Sequence, residues 1–133
     1  MAKVLVVDDE ANLRKVLAAM LRKSGYEVTV AADGEQGLAE LTKNGADIVV
    51  TDLVMPKVGG MEILKTVNLS HPDVPVIIIT AHGTVDSAVE AIKGGAFDYI
   101  TKPFEQAELQ AVVAKAARTH RSEERRVGKE CRL

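Results

Sequence analysis

Apolar residues fall into five short, near-continuous runs: Val4–Val7, Val28–Ala31, Ile48–Val50, Val76–Ile79 and Tyr99–Ile100. Longer windows separate them, in which apolar residues recur every three or four positions. Leu13, Leu17, Met20 and Leu21 share one helical face, as do Leu109, Val112, Val113 and Ala116. Runs without strict alternation predict strands covered on both sides, hence a parallel sheet between helical layers. The punctuation agrees with this reading. Gly25 and Gly45 follow the last periodic residues as C-terminal caps, and Asp33 with Gln36 has the spacing of a capping box. Thr84 is an N-cap before Val85, Ala88, Val89 and Ile92, and a third helix is predicted from Gly60 to Leu69, ending before His71-Pro72. Five βα units joined by right-handed crossovers give an open, doubly wound α/β sheet.

The last thirteen residues, Arg121–Leu133 (RSEERRVGKECRL), show neither period and are predicted to form an unstructured, non-native tail; the segment resembles the translation of a common sequencing-library adapter, a native basic linker being the alternative. Residues 1–120 are predicted to be a single domain. Five of the 17 basic side chains and three of the 19 acidic ones lie in the tail, which leaves 12 basic against 16 acidic in the folded part. That acidic balance argues against direct nucleic-acid binding. Aromatics make up only 3% of a chain that is 47% hydrophobic, so the core must come from Val, Ile, Leu, Ala and Met. The single cysteine, Cys131, rules out an internal disulfide. No apolar stretch reaches the length of a membrane span and the start does not read as a signal peptide, so the expected location is the cytoplasm, with no membrane partner.

In open α/β sheets ligands bind beyond the carboxyl ends of the strands. Asp8 and Asp9 follow the first run, Thr51 and Asp52 the third, Thr80 the fourth, and Thr101 and Lys102 the fifth. Taken singly these have plain structural readings: Asp8-Asp9 as a helix cap, Thr80 as a strand-end hydroxyl, Lys102 as a solvated charge. Jointly, three carboxylates, a hydroxyl and an ammonium meet at one edge. Crowded carboxylates are relieved by a hard divalent cation, for which Mg²⁺ is the candidate, and an ammonium beside them suits transferred phosphoryl charge.

The residues Val4-Leu-Val-Val-Asp-Asp-Glu10, Asp52-Leu-Val-Met-Pro56 with Gly59-Gly60-Met61, Ile79-Thr-Ala81 and Asp98-Tyr-Ile-Thr-Lys-Pro-Phe104 resemble the receiver domains of bacterial response regulators. The resemblance covers roughly residues 1–120. It implies a flavodoxin-like (βα)5 sheet with strand order 2-1-3-4-5, and a switch in which Asp52 accepts a phosphoryl group from a sensor histidine kinase or a small donor. Asp9, Asp52 and the carbonyl of Val54 would bind Mg²⁺ directly, and Asp8 partly through water. Thr80 and Lys102 would hold phosphoryl oxygens, and the Lys102-Pro103 bond would be cis. Tyr99 in isolation reads as half-buried packing; the resemblance makes it a switch that follows Thr80 and alters the face formed by the fourth helix, fifth strand and fifth helix.

Residues Ala81 to Tyr99 further resemble the subgroup attached to σ54-dependent transcriptional activators. No GxxxxGK[ST] or helix-turn-helix follows, so the chain is expected to be a truncated receiver, or a gene fragment ended by the tail, with transcription as the output. It is read as a phosphoacceptor with self-catalysed transfer and slow autodephosphorylation rather than an enzyme with turnover, a homodimer being a second partner. A dehalogenase-like phosphohydrolase would need an acid two residues beyond Asp52, where Val54 stands, and an FMN phosphate would meet repelling carboxylates. His71, His82 and His120 lack metal-ligand spacing and are expected at the surface.

Overall fold

The computed structural model describes residues 2–81 and 83–130, residues 119–130 as backbone alone. Strands β1 (Lys3–Val7), β2 (Glu27–Ala31), β3 (Ile48–Asp52), β4 (Val76–Thr80) and β5 (Asp98–Thr101) alternate with helices α1 (Ala11–Lys23), α2 (Gly34–Asn44), α3 (Gly60–Ser70), α4 (Val85–Lys93) and α5 (Gln106–Glu130). The sheet is parallel in the order β2-β1-β3-β4-β5, as expected.

Alternation along each strand divides the core into two layers. Val4, Val6, Ile48, Val50, Ile77, Ile79 and Ile100 meet Leu17 and Leu21 of α1 and Leu109, Val113 and Ala116 of α5. Leu5, Val7, Val49, Val76 and Ile78 face the other way, toward Leu41 of α2, Ile63, Leu64 and Val67 of α3, and Ala91 of α4. The inner strands β3 and β4 are buried throughout, whereas β2, at an edge, buries only Val28 and Ala31.

Local signals behave largely as predicted. Gly25 and Gly45 take positive φ (99° and 71°) at the ends of α1 and α2, a conformation that favours glycine. Asp33 accepts the Gln36 N–H at 2.7 Å, but the Gln36 side chain reaches back to the Ala32 N–H rather than to that of the cap itself. Thr84 caps α4 in a reciprocal pair with Ser87.

In α4 the apolar residues do not form a core face: Val85, Val89 and Ile92 are exposed, and only Ala91 is fully buried. One expectation needs correction. At the other end, α5 continues as helical backbone through residues 121–130, where an unstructured tail was expected. Glu, Arg and Lys are good helix formers, so a helix already started by α5 can continue without an apolar stripe. Cys131 lies outside the described residues.

Candidate functional site

The site begins with register. Val7 pairs with Thr51 across β1 and β3, so the next residues, Asp8 and Asp52, stand side by side at a strand spacing of about 4.8 Å. Asp8 and Asp52 share the parity of Val6 and Val50, and Lys102 that of Ile100, so all three emerge on the α1/α5 side of the sheet edge. Thr80 shares its parity with Ile78, and Tyr99 packs with the opposite layer, which places both toward α3 and α4.

Geometry bears this out. The Lys102 ammonium lies 3.2 Å from Asp52 Oδ2 and 3.4 Å from Asp8 Oδ2. Asp8 is 1% exposed and Asp52 8%, while Asp9 is open to solvent. Carboxylate oxygens of Asp8, Asp9 and Asp52 all lie within 4.8 Å of one another. Asp8 Oδ1 also accepts the Glu10 N–H at 2.8 Å, and Arg14 donates to the Asp8 carbonyl at 2.8 Å. Burial pushes the Asp8 carboxyl above its usual range; the Glu10 N–H and the Lys102 ammonium oppose the rise, and the neighbouring Asp52 carboxylate adds to it.

The loop after β3 is drawn tightly around Asp52. The Val54 N–H lies 3.4 Å from Asp52 Oδ1, and Val54 is itself exposed. The Gly60 N–H donates to the Leu53 carbonyl, and a Cβ at Gly60 would fall 2.5 Å from the Asp52 carbonyl oxygen, so only glycine lets α3 start so close. The residues present suit a hard cation: two buried and one exposed carboxylate converge on a solvent-reaching edge with oxygen donors alone.

Thr80 is fully buried at the end of β4, and its carbonyl accepts the Lys102 N–H at 2.8 Å, which holds the β5 end against β4. The Lys102-Pro103 peptide is cis, as expected. Thr51 and Thr101 do not join the cluster: the Thr51 hydroxyl donates to the Asp52 carbonyl, and Thr101 is exposed. His71 is half-buried with Nδ1 2.8 Å from the Ser70 hydroxyl, whereas His82 and the His120 side chain lie outside the described residues.

Sequence reasoning missed two contacts. Nothing in the pattern marks Arg14 as a partner of the Asp8 backbone. Ser87, whose hydroxyl is 2.8 Å from the Tyr99 hydroxyl, was signalled only by its place three residues after Thr84. Among the described residues no helix is long and apolar enough to cross a membrane.

Comparison with known proteins adds the family. The response regulator receiver domain matches residues 4–114. The chain is 42% identical over 118 residues to the transcriptional regulatory protein ZraR of Escherichia coli (strain K12), a match covering 88% of this chain and 27% of that protein. The crystal structure of a response regulator receiver domain protein from Clostridium thermocellum superposes with a TM-score of 0.84 at 38% identity, covering 89% of this chain and 95% of that one. NtrX from Brucella abortus gives a TM-score of 0.91 at 32% identity, over 99% of this chain and 31% of NtrX. The chain thus spans about a quarter of the length of ZraR. With the five-stranded order, the clustered carboxylates and the bridging lysine in place, the chain belongs to the response regulator receiver domains.

Proposed function

We propose that this domain is a signalling switch set by phosphorylation of Asp52. The observation that supports it best is the Asp52 carboxylate itself, almost buried, paired with Lys102 and crowded by Asp8 and Asp9. In the transfer an Asp52 carboxylate oxygen attacks phosphorus in line, the P–N bond of a kinase phosphohistidine breaks, and the imidazole leaves with the electron pair. Lys102 neutralises charge on the moving phosphoryl group, a role for which its ammonium already lies 3.2 Å from the acceptor. Asp9, Asp52 and the Val54 carbonyl would hold Mg²⁺ directly and Asp8 partly through water; when bound, the ion supplies compensation for phosphoryl charge. Thr80 then takes a phosphoryl oxygen as partner, Tyr99 follows, and the face of α4, β5 and α5 changes. Water attacking the acyl phosphate releases inorganic phosphate and restores Asp52.

The partner is a sensor histidine kinase, with a second copy of the chain as a candidate on the changed face. ZraR is by name a transcriptional regulator, which supports an output in transcription carried by other domains, in line with the σ54-activator resemblance of residues 81–99. The acidic balance of residues 1–120 supports a domain that does not itself bind nucleic acid, acting in the cytoplasm. Intact mass after acetyl phosphate and Mg²⁺ tests the assignment. Wild type gains one phosphoryl mass, and Asp52→Ala gains none; equal labelling of both proteins would refute Asp52 as the acceptor.

A further inference from the structure

Helix α4 is lightly attached along its length. Ala91 is its only fully buried residue, and Val85, Val89 and Ile92 face solvent. A helix with so little buried apolar surface belongs to the low-stability end of a domain, where a few polar contacts decide its position. Two such contacts come from outside the helix. At its C-terminal end the Asn68 amide donates to the Gly94 carbonyl at 2.6 Å, and Gly95 has φ 102° so close to Asn68 that a Cβ there would lie 2.7 Å from its amide nitrogen. At its N-terminal end the Ser87 and Tyr99 hydroxyls are 2.8 Å apart.

We infer that Ser87 is a positioning residue that latches the Tyr99 ring to the first turn of α4, so that this turn cannot move, nor the ring turn inward, without breaking the Ser87–Tyr99 hydrogen bond. The inference rests on the switch role given to Tyr99 above. The Ser87 hydroxyl has one proton and two lone pairs. It accepts the Thr84 N–H at 3.0 Å and lies 3.1 Å from both the Thr84 carbonyl and the Thr84 hydroxyl, and it shares one further hydrogen bond with the Tyr99 hydroxyl, in which either oxygen can donate. The serine therefore belongs to the helix cap and to the tyrosine at once. Gly83 keeps the preceding loop close over the ring, since a Cβ there would meet the Thr101 methyl at 2.4 Å and the Tyr99 hydroxyl at 3.3 Å. With Asn68 as the pivot, displacement of α4 is greatest at the latched end. Ser87 and Tyr99 are both half-buried, so water can replace the lost partner, and the latch biases the switch rather than locking it. One ordinary hydrogen bond corresponds to about a fivefold shift in such an equilibrium.

The chain has two tyrosines, Tyr26 and Tyr99, so ring-¹³C tyrosine labelling gives two sets of NMR signals, assigned with Tyr26→Phe. Without phosphodonor, Ser87→Ala is expected to move the Tyr99 ring signal away from its resting position. Amide exchange over residues 85–88 should quicken by at least about fivefold. Ser87→Thr, which keeps the hydroxyl, should restore both. Because Ser87→Ala also removes half of the helix cap, Tyr99→Phe is the second variant: it leaves the Thr84–Ser87 pair intact and should quicken exchange by about the fivefold of the latch alone, and the double variant should exchange no faster than Ser87→Ala. An unmoved ring signal in Ser87→Ala, or unchanged exchange in Tyr99→Phe, overturns the latch and leaves Ser87 a helix cap only. A wild-type Tyr99 signal that ignores phosphorylation of Asp52 would instead refute the switch role of Tyr99, whatever Ser87→Ala does at rest.

Discussion

The Lys102 ammonium lies 3.2 Å from Asp52 Oδ2, although fifty positions separate the two residues along the chain. Among the described residues it is the cation that pairs with the carboxylates of the cluster, and its side chain is 16% exposed against 10% for Asp52. Removing it leaves the carboxylates to repel one another unopposed. Lys102→Ala is therefore expected to melt lower than wild type in EDTA, and to gain more from millimolar Mg²⁺, because a cation that binds only the folded form restores the missing compensation. Thermal melts of both proteins, with and without Mg²⁺, check this; equal Mg²⁺ shifts would mean that Lys102 and the cation act on separate sites.

Asp52→Asn tests the opposite sign. At an effective dielectric of about 20, Asp52 is repelled by two carboxylates by about 3.5 kcal/mol each and attracted by one ammonium by about 5 kcal/mol. Repulsion wins narrowly, and solvent at the open edge reduces the balance to about 1 kcal/mol. The variant should melt about 3 °C higher than wild type in EDTA, and Mg²⁺ should close the gap by stabilising wild type more. A variant that melts lower in EDTA would show that the ion pair outweighs the crowding.

Asp8 carries a pH signature. Its folded carboxyl holds its proton to higher pH than an unfolded one, so between the ordinary carboxylate range and the raised folded value the native state binds more protons. Stability contributed by this group is thus present at low pH and lost as pH rises through that window. In metal-free buffer Asp8→Asn should be the more stable protein at neutral pH, with its advantage shrinking as pH falls through the window. Melts from acid to neutral pH check this, and an advantage independent of pH would assign the effect to something other than the Asp8 charge.

Residues 121–130 have helical backbone, and the sequence there shows no apolar period, so no docking face is expected of the segment. Deletion of Arg121–Leu133 is expected to leave the melting temperature and the phosphorylation of Asp52 unchanged. A drop of several degrees would show that the segment packs on the domain and that the boundary near residue 120 is wrong.

Read alone, the sequence determined the order of elements, the parallel sheet and the edge at which the chemistry gathers. Those properties follow from local periodicity and from the rule that a strand's last residue opens on the carboxyl edge, and both can be read without knowing what packs on what. It also singled out Asp8, Asp9, Asp52, Thr80 and Lys102. It did not show that Lys102 serves Asp8 and Asp52 together, because that depends on the β1–β3 register and the side of the sheet from which each residue emerges. The α4 stripe of Val85, Val89 and Ile92 has the period of a core face yet looks outward; periodicity gives the width of an apolar face, and only the packed neighbours decide whether anything covers it. The helix through residues 121–130 escaped for the converse reason, since a chain of good helix formers can extend an existing helix without any pattern at all. The Ser87–Tyr99 contact was beyond reach for the simplest reason: twelve positions apart on a helix and a strand, the two hydroxyls meet only when α4 is laid against β5.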